Sequence, residues 1–192
     1  MGEAGPRLMT YAAYLEAEAR SERKHEYLRG EVYAMAGGTP EHAALIAAVS
    51  TELSVALRGH PCRVYSSELR VRVEATDLST YPDVVVVCGA LETAGEDPNA
   101  ATNPVLIVEV LSDSTEAYDR GDKFAHYRRL PNLREYLLVS QSKPLLESYR
   151  KSSEGVWMLA EAGSGERLTL AAVDGVQLDV DGLYRDPLTT GT

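Results

Sequence analysis

Two stretches of this chain read as little else than buried strands. Pro82 to Cys88 (PDVVVVC) and Pro104 to Leu111 (PVLIVEVL) are near-continuous β-branched runs. The strict alternation that marks a strand with one wet face is missing from both. Each run therefore has both faces covered and belongs at the centre of a sheet. That excludes a helical bundle and requires layers packed on both sides. Each run also breaks its own pattern once: Asp83 opens the first, and Glu109 lies inside the second. An unpaired carboxylate in a covered strand is costly, so both acids ask for an explanation.

The rest of the chain supplies the layers. Thr10 suits an N-cap for a helix over Tyr11 to Arg23, with Tyr11, Tyr14, Leu15 and Ala19 at helical spacing. His25 to Met35 reads as a strand or tight hairpin hinged at Gly30. Thr39 as cap, Pro40 at the first helical position and Glu41 in the first turn start a second helix. Its stripe is Leu45, Ile46, Val49, Leu53 and Leu57, and Gly59 ends it. Leu69, Val71 and Val73 alternate with Glu68, Arg70, Arg72 and Glu74, a half-buried strand with a solvated mixed-charge face. Gly89 to Asn103 reads as a long mobile loop, Tyr118 to Leu130 as a helix stopped by Pro131, and Glu135 to Ser140 as a strand. Leu145 to Lys151, Gly155 to Glu161, Arg167 to Val173 and Val176 to Val180 make a β-meander, and Asp181 to Tyr184 one helical turn. This order predicts an α/β or α+β fold with a mixed sheet. The 192 residues suit a single domain, with a core over 10–140, a meander extension over 141–180 and a polar tail over 181–192.

Hydrophobic residues at 44% and charged residues at 25% allow a sizeable core without staples. Cys62 and Cys88 match no zinc or thioredoxin spacing and read as two buried thiols in a reducing compartment. No apolar run approaches the roughly 18 residues that span a bilayer. Met1 to Thr10 lacks the basic and apolar regions of a signal peptide. The expectation is a soluble, cytoplasmic protein with no membrane partner. Its 19 Lys and Arg against 29 Asp and Glu give a net charge of −10, a mean field that repels phosphate. Nucleic-acid contact would need a local basic face, for which Arg58, Arg63, Arg70, Arg72, Arg120, Arg128, Arg129 and Arg134 are the candidates.

Two carboxylates brought to one end of a rigid sheet are what a hard divalent cation requires, and the Val110 carbonyl beside Glu109 is a natural third oxygen. Singly, Asp83 can merely end a strand and Glu109 can merely pair with a buried Arg; together they favour a site. Asp119, Asp122, Lys123, His126 and Tyr127 share one helical face, from which Lys123 can hold or deprotonate a water. On spacing alone, Asp119 and Lys123 are more simply an exposed i,i+4 pair. His42 can reach a substrate or a loop, although a His at a helix start is more often structural. No P-loop, G-x-G-x-x-G or G-x-S-x-G occurs.

Taken in order, HEYLRGEVYAMAGGTPEH, YPDVVVV, PVLIVEVLSDST, the Lys of DRGDKFAHYRRLPN and REYLLVS resemble a large bacterial family. It is a restriction-endonuclease family of the PD-(D/E)XK nuclease superfamily, and the resemblance covers about Thr10 to Val180. It implies a restriction endonuclease-like mixed sheet flanked by helices. It also implies metal-dependent hydrolysis of DNA phosphodiesters, with Asp83 as first acid and Glu109 as second. The family's Lys would stand two places after Glu109, where this chain has Leu111; Lys123 on the following helix is the candidate for its role. Glu26 matches an upstream acid that similar nucleases use as an auxiliary metal ligand. The implied metal set is thus Asp83, Glu109, the Val110 carbonyl and Glu26, for Mg2+ with Mn2+ able to substitute. A homodimer paired through the exposed edges of the meander would suit a two-fold symmetric duplex. Leu111 and the negative charge keep a second reading open, a nucleic-acid-binding or protein-interaction module whose site has decayed. A third is a metal-dependent hydrolase of small phosphoesters.

Overall fold

The computed structural model describes residues 8–35 and 37–185. The expected tail therefore lies largely outside the described residues. In chain order the elements are α1 (Tyr11–Glu18), β1 (His25–Leu28), β2 (Glu31–Ala34), α2 (Pro40–Ala56), β3 (Cys62–Ser66), β4 (Arg70–Val73), β5 (Leu78–Thr80) and β6 (Val84–Cys88). There follow β7 (Thr93–Ala94), β8 (Asp97–Ala101), β9 (Leu106–Val110) and a helical run of α3 (Glu116–Tyr118), a π-helical turn (Asp119–Lys123) and α4 (Phe124–Tyr127). The chain ends with β10 (Glu135–Val139), β11 (Leu145–Lys151), β12 (Trp157–Gly163), β13 (Arg167–Thr169), β14 (Gln177–Asp179) and α5 (Val180–Leu183).

The two β-branched runs sit at the centre of a sheet. Its order is β12-β11-β10-β9-β6-β3, with β9 and β10 parallel and the other neighbours antiparallel. The side chains of β6 and β9 then divide by parity. Val84, Val86, Leu106 and Val108 face α2, whose Leu45, Val49, Leu53 and Leu57 form the expected stripe. Val85, Val87 and Ile107 face the other way, onto Tyr127, Leu130 and Leu133 and onto a second sheet. That sheet has the order β2-β1-β5-β4-β8-β7, and Val71, Val73 and Leu78 are its share of the core. The meander's first hairpin continues the central sheet through β10–β11 pairing, while β13 and β14 pair only with each other. Buried Glu135 holds that last hairpin down by accepting the N–H groups of Ala171 and Ala172 at 2.7 and 2.9 Å.

Local chemistry explains the ends. Thr10 and Thr39 cap α1 and α2, each taking the N–H three residues on. The β1–β2 turn puts Arg29 and Gly30 at φ 51° and 92°, the left-handed pair that a two-residue hairpin demands. Helix α1 stops at Glu18 rather than at the expected Arg23. The Glu18 carboxylate is engaged by the His25 N–H and the Tyr81 hydroxyl, which turns the chain toward β1.

Three expectations are overturned. Gly89 to Asn103 is not a plain loop, because β7 and β8 form within it and β8 pairs parallel with β4. Cys62 and Cys88 are not two buried thiols. They are half-buried, the β3–β6 register sets them opposite each other, and they are joined as a disulfide with Cα atoms 3.9 Å apart. The Arg70 and Arg72 face is not solvated. Arg70 forks onto Asp97 at 2.7 and 2.8 Å, and Arg72 bonds Asp77 at 2.6 Å and lies 3.9 Å over the Tyr11 ring.

Asp97 carries a pH signature. Burial works against its ionisation, but the Arg70 bonds and charge outweigh burial and hold the carboxyl below its ordinary 3.8. A depressed folded value means that the pair's stability is full above the unfolded value and is lost as pH falls through the lowered one. Asp97→Asn is therefore expected to cost about 3 kcal/mol at neutral pH, by leaving Arg70 buried without its counter-charge. It should also flatten the stability loss below about pH 4. Urea melts of both proteins across pH 2–7 check the two effects.

Candidate active site

The site forms where β6 and β9 part. Val84 opposes Val108 in their ladder, so one further step sets Asp83 opposite Glu109 and the next sets Pro82 opposite Val110. Proline has no N–H to give, and the ladder ends there. Asp83 and Glu109 share a parity and project to the face that carries the helical run and the second sheet. The Val110 N–H, freed from the ladder, donates to Asp83 Oδ2 at 2.7 Å. The His42 ring, at the start of α2, takes the Val110 carbonyl at 2.9 Å.

Glu109 is buried, with the Tyr127 hydroxyl donating to Oε1 at 2.8 Å and Lys123 Nζ at 3.0 Å. The Lys123 ammonium also lies 3.1 Å from Asp119 Oδ1 and 3.7 Å from Glu26 Oε1. Glu26, in the middle of β1, accepts the Thr80 hydroxyl from the neighbouring strand. The π-helical turn stacks Asp119 and Lys123 on the buried side, while Asp122 points to solvent. Such turns recur at functional sites because they shift a side chain that an α-helix would place elsewhere. Two contacts fix it: Arg120 clamps Glu147 on β11 at 2.5 and 2.7 Å, and the Tyr136 hydroxyl donates to the Asp119 carbonyl.

Thus Asp83, Glu109, Lys123 and Glu26 line one cavity of about 360 Å³, with the Val110 carbonyl at its edge. Asp119 and Lys123 are buried, not the exposed pair that spacing alone favoured. On sequence alone His42 can reach a substrate or a loop but is more often structural, and Tyr127 shares the Lys123 face without a role of its own. The signals were there: His42 follows the GGTP helix start, and Pro82 announces a carbonyl that lacks a strand partner. Arg70, Arg72 and Arg120 are taken up in internal ion pairs, whereas Arg58, Arg63, Arg128, Arg129 and Arg134 stay exposed.

The electrostatics are those of an acid-rich site. Burial lifts the Glu109 carboxyl to about 8 against the pull of Lys123, and Asp83 and Asp119 push the same way. Burial also raises Asp83, against its bond from the Val110 N–H and the nearby His42. For Lys123, burial favours loss of the proton, but Glu109, Glu26 and Asp119 overcome it and raise the amine well above its ordinary range. Lys123 is therefore an ammonium. As such it can donate to a water or a phosphate oxygen.

Three carboxylates, Glu26, Glu109 and Asp119, lie within 3.7 Å of the one ammonium, Asp83 stands beside Glu109, and buried Asp119 Oδ1 has no well-directed hydrogen bond among the described residues. Carboxylate and carbonyl oxygens are the donors that Mg2+ and Mn2+ prefer, so the residues fit such a cation. As placed, no three His, Cys, Asp or Glu side chains among the described residues close around one point. Mg2+ does not require that, since it keeps several waters and is commonly held by one or two carboxylates plus substrate phosphate.

Comparison with known proteins decides the family. Residues 11–181 match the family model described as "Uma2: Putative restriction endonuclease". The chain belongs to this family. Two Synechocystis sp. proteins, each described as "Uncharacterized protein", are similar to it. One is 39% identical over 172 residues, covering 90% of this chain and 89% of the relative. The other is 33% identical over 155 residues, covering 81% and 88%. The fold is similar to the crystal structure of "a putative nuclease belonging to DUF820" from Anabaena variabilis. The TM-score is 0.74 at 15% identity, over 92% of this chain and 97% of that one. The restriction endonuclease-like fold is thus shown. In this family member Leu111 is buried in the core on the Glu109 side of β9, and the ammonium reaches Glu109 from the helical run instead. No helix among the described residues is long and apolar enough to cross a membrane.

Proposed function

We propose that this protein is a metal-dependent endonuclease that hydrolyses DNA phosphodiester bonds with an activated water. The observation that carries the reading is the meeting of Asp83, Glu109, Glu26 and Lys123 in one cleft of a restriction endonuclease family member. Asp83, Glu109 and the Val110 carbonyl would hold the cation, with Glu26 as an auxiliary oxygen. A bound Mg2+ or Mn2+ supplies a water of lowered pKa and polarises the phosphoryl oxygen. Lys123 donates to the attacking water or a non-bridging oxygen and offsets the charge that develops on phosphate. Tyr127 and Asp119 keep Glu109 and Lys123 in place from behind. Hydrolysis at this site needs no covalent intermediate.

A second copy of the chain completes the reading. β12 is an edge strand; Met158 and Leu159 within it are 53% and 52% exposed, and Val156 just before it is 55% exposed. Two copies joined along that edge would bring one site to each strand of a duplex. The net charge of −10 favours the rival reading, a decayed binding module of the same fold.

The test is incubation with supercoiled plasmid in Mg2+ or Mn2+, beside a light-scattering mass measurement. Nicking that a chelator abolishes, by a protein of dimer mass, is the expected result. An intact plasmid in both metals, beside unchanged short single- and double-stranded oligonucleotides, would favour the decayed module. Turnover of small phosphoesters without plasmid cleavage would point to the smaller substrate class.

A further inference from the structure

We propose that His42 is a positioning residue that fixes the Val110 carbonyl as the third oxygen of the cation site. This rests on the site reading above and adds a residue to it. The peptide's other end, the Leu111 N–H, is tied to the Val139 carbonyl on β10 at 2.8 Å, but Pro82 lacks an N–H, so β6 offers no donor to the Val110 carbonyl. The His42 Nε2–H holds it instead, at 2.9 Å. A carbonyl oxygen has two lone pairs, so His42 on one leaves the other for a cation. The same nitrogen lies 3.5 Å from Asp83 Oδ2, which already accepts the Val110 N–H. The imidazole thus lies beside two of the site's oxygens, the Val110 carbonyl and Asp83 Oδ2.

The protein builds this contact with care. Thr39 caps α2 through the His42 N–H, and Gln141, beyond the end of β10, donates to the same Thr39 hydroxyl at 2.8 Å. Residue 38 must be small: a Cβ added to Gly38 would lie 2.6 Å from His42 Nδ1. Anchoring α2 would not require a ring aimed at a carbonyl at the edge of the cavity.

Orientation of a carbonyl matters most to a cation that demands regular geometry. Mg2+ insists on a near-ideal octahedron, whereas Ca2+ tolerates irregular shells. The experiment is calorimetric titration of Mg2+, Mn2+ and Ca2+ into folded wild type, His42→Ala, His42→Gln and Gly38→Ala. It is paired with the Val110 carbonyl carbon resonance followed by NMR during the Mg2+ titration. The account predicts that His42→Ala weakens Mg2+ and Mn2+ about tenfold or more, as loss of a ligand-orienting partner does. Ca2+ should weaken less, and the Val110 resonance should lose its Mg2+ response. The Gln amide N–H can replace Nε2–H, so His42→Gln should recover most of the affinity. Gly38→Ala should imitate His42→Ala by crowding the ring, and it keeps the question open to experiment if His42→Ala does not fold. Cation binding by His42→Ala equal to wild type would overturn the role of His42 alone. So would an equal loss for all three cations with no recovery in His42→Gln. Absence of binding by folded wild type would overturn the underlying site reading as well.

Discussion

Glu109→Gln is expected to abolish cation binding and phosphodiester cleavage while leaving the melting temperature unchanged or raised. The substitution keeps the shape, and the amide oxygen can still accept the Tyr127 hydroxyl now 2.8 Å from Oε1. Lys123 keeps Asp119 and Glu26 as partners. What disappears is a buried negative charge that its surroundings disfavour. Because the folded carboxyl is raised from 4.5 to about 8, its contribution is full below the unfolded value and is lost as pH rises through the folded one. The variant loses nothing in that window, so its advantage in melting temperature should grow from about pH 4.5 and level off above pH 8. Thermal melts at several pH values, beside plasmid nicking, check both halves. A loss of about 3 kcal/mol or more at neutral pH would make Glu109 a structural ion-pair partner instead.

Lys123→Met should do the opposite to stability. Methionine fills the space of the alkyl stem but leaves Glu109, Asp119 and Glu26 facing one another without a cation. Removing one partner from a buried charge set costs about 3–5 kcal/mol, and here three acids lose the same one. Lys123 already holds the Glu109 carboxyl down to about 8, so its removal raises that carboxyl further. The loss should be largest above about pH 8 and shrink as pH falls and Glu109 takes up its proton. Mn2+ should restore the variant's melting temperature by more than it raises that of wild type, since the ion would supply the missing charge. Urea melts with and without Mn2+ measure this, and cleavage should be lost throughout. A variant as stable as wild type would show that the three carboxylates do not depend on the ammonium.

Much of the scaffold of this site is legible in the chain. The β-branched runs name the central strands, and the odd positions of Asp83 and Glu109 put both on one face once the register is known. TPEH marks the helix that presents His42. What the sequence hides is what distant residues decide. Gly89 to Asn103 is polar and lacks alternation, and nothing local says that Asp97 will accept Arg70 and Tyr11 and draw in a strand. Arg70 and Arg72 look solvated because Glu68 and Glu74 flank them, yet their partners Asp97 and Asp77 lie on other segments. Cys62 and Cys88, separated by 26 positions, become neighbours only through antiparallel register. Regular helical spacing cannot foresee the π-helical turn that buries Lys123 beside Asp119.

The central claim is that Asp83, Glu109 and their neighbours hold a divalent cation. Calorimetric titration of Mn2+ into folded wild type and folded Glu109→Gln tests it without any assumption about the substrate. Saturable binding by wild type that is absent from the variant is the predicted result. No binding by wild type, or the same binding by both proteins, would contradict it.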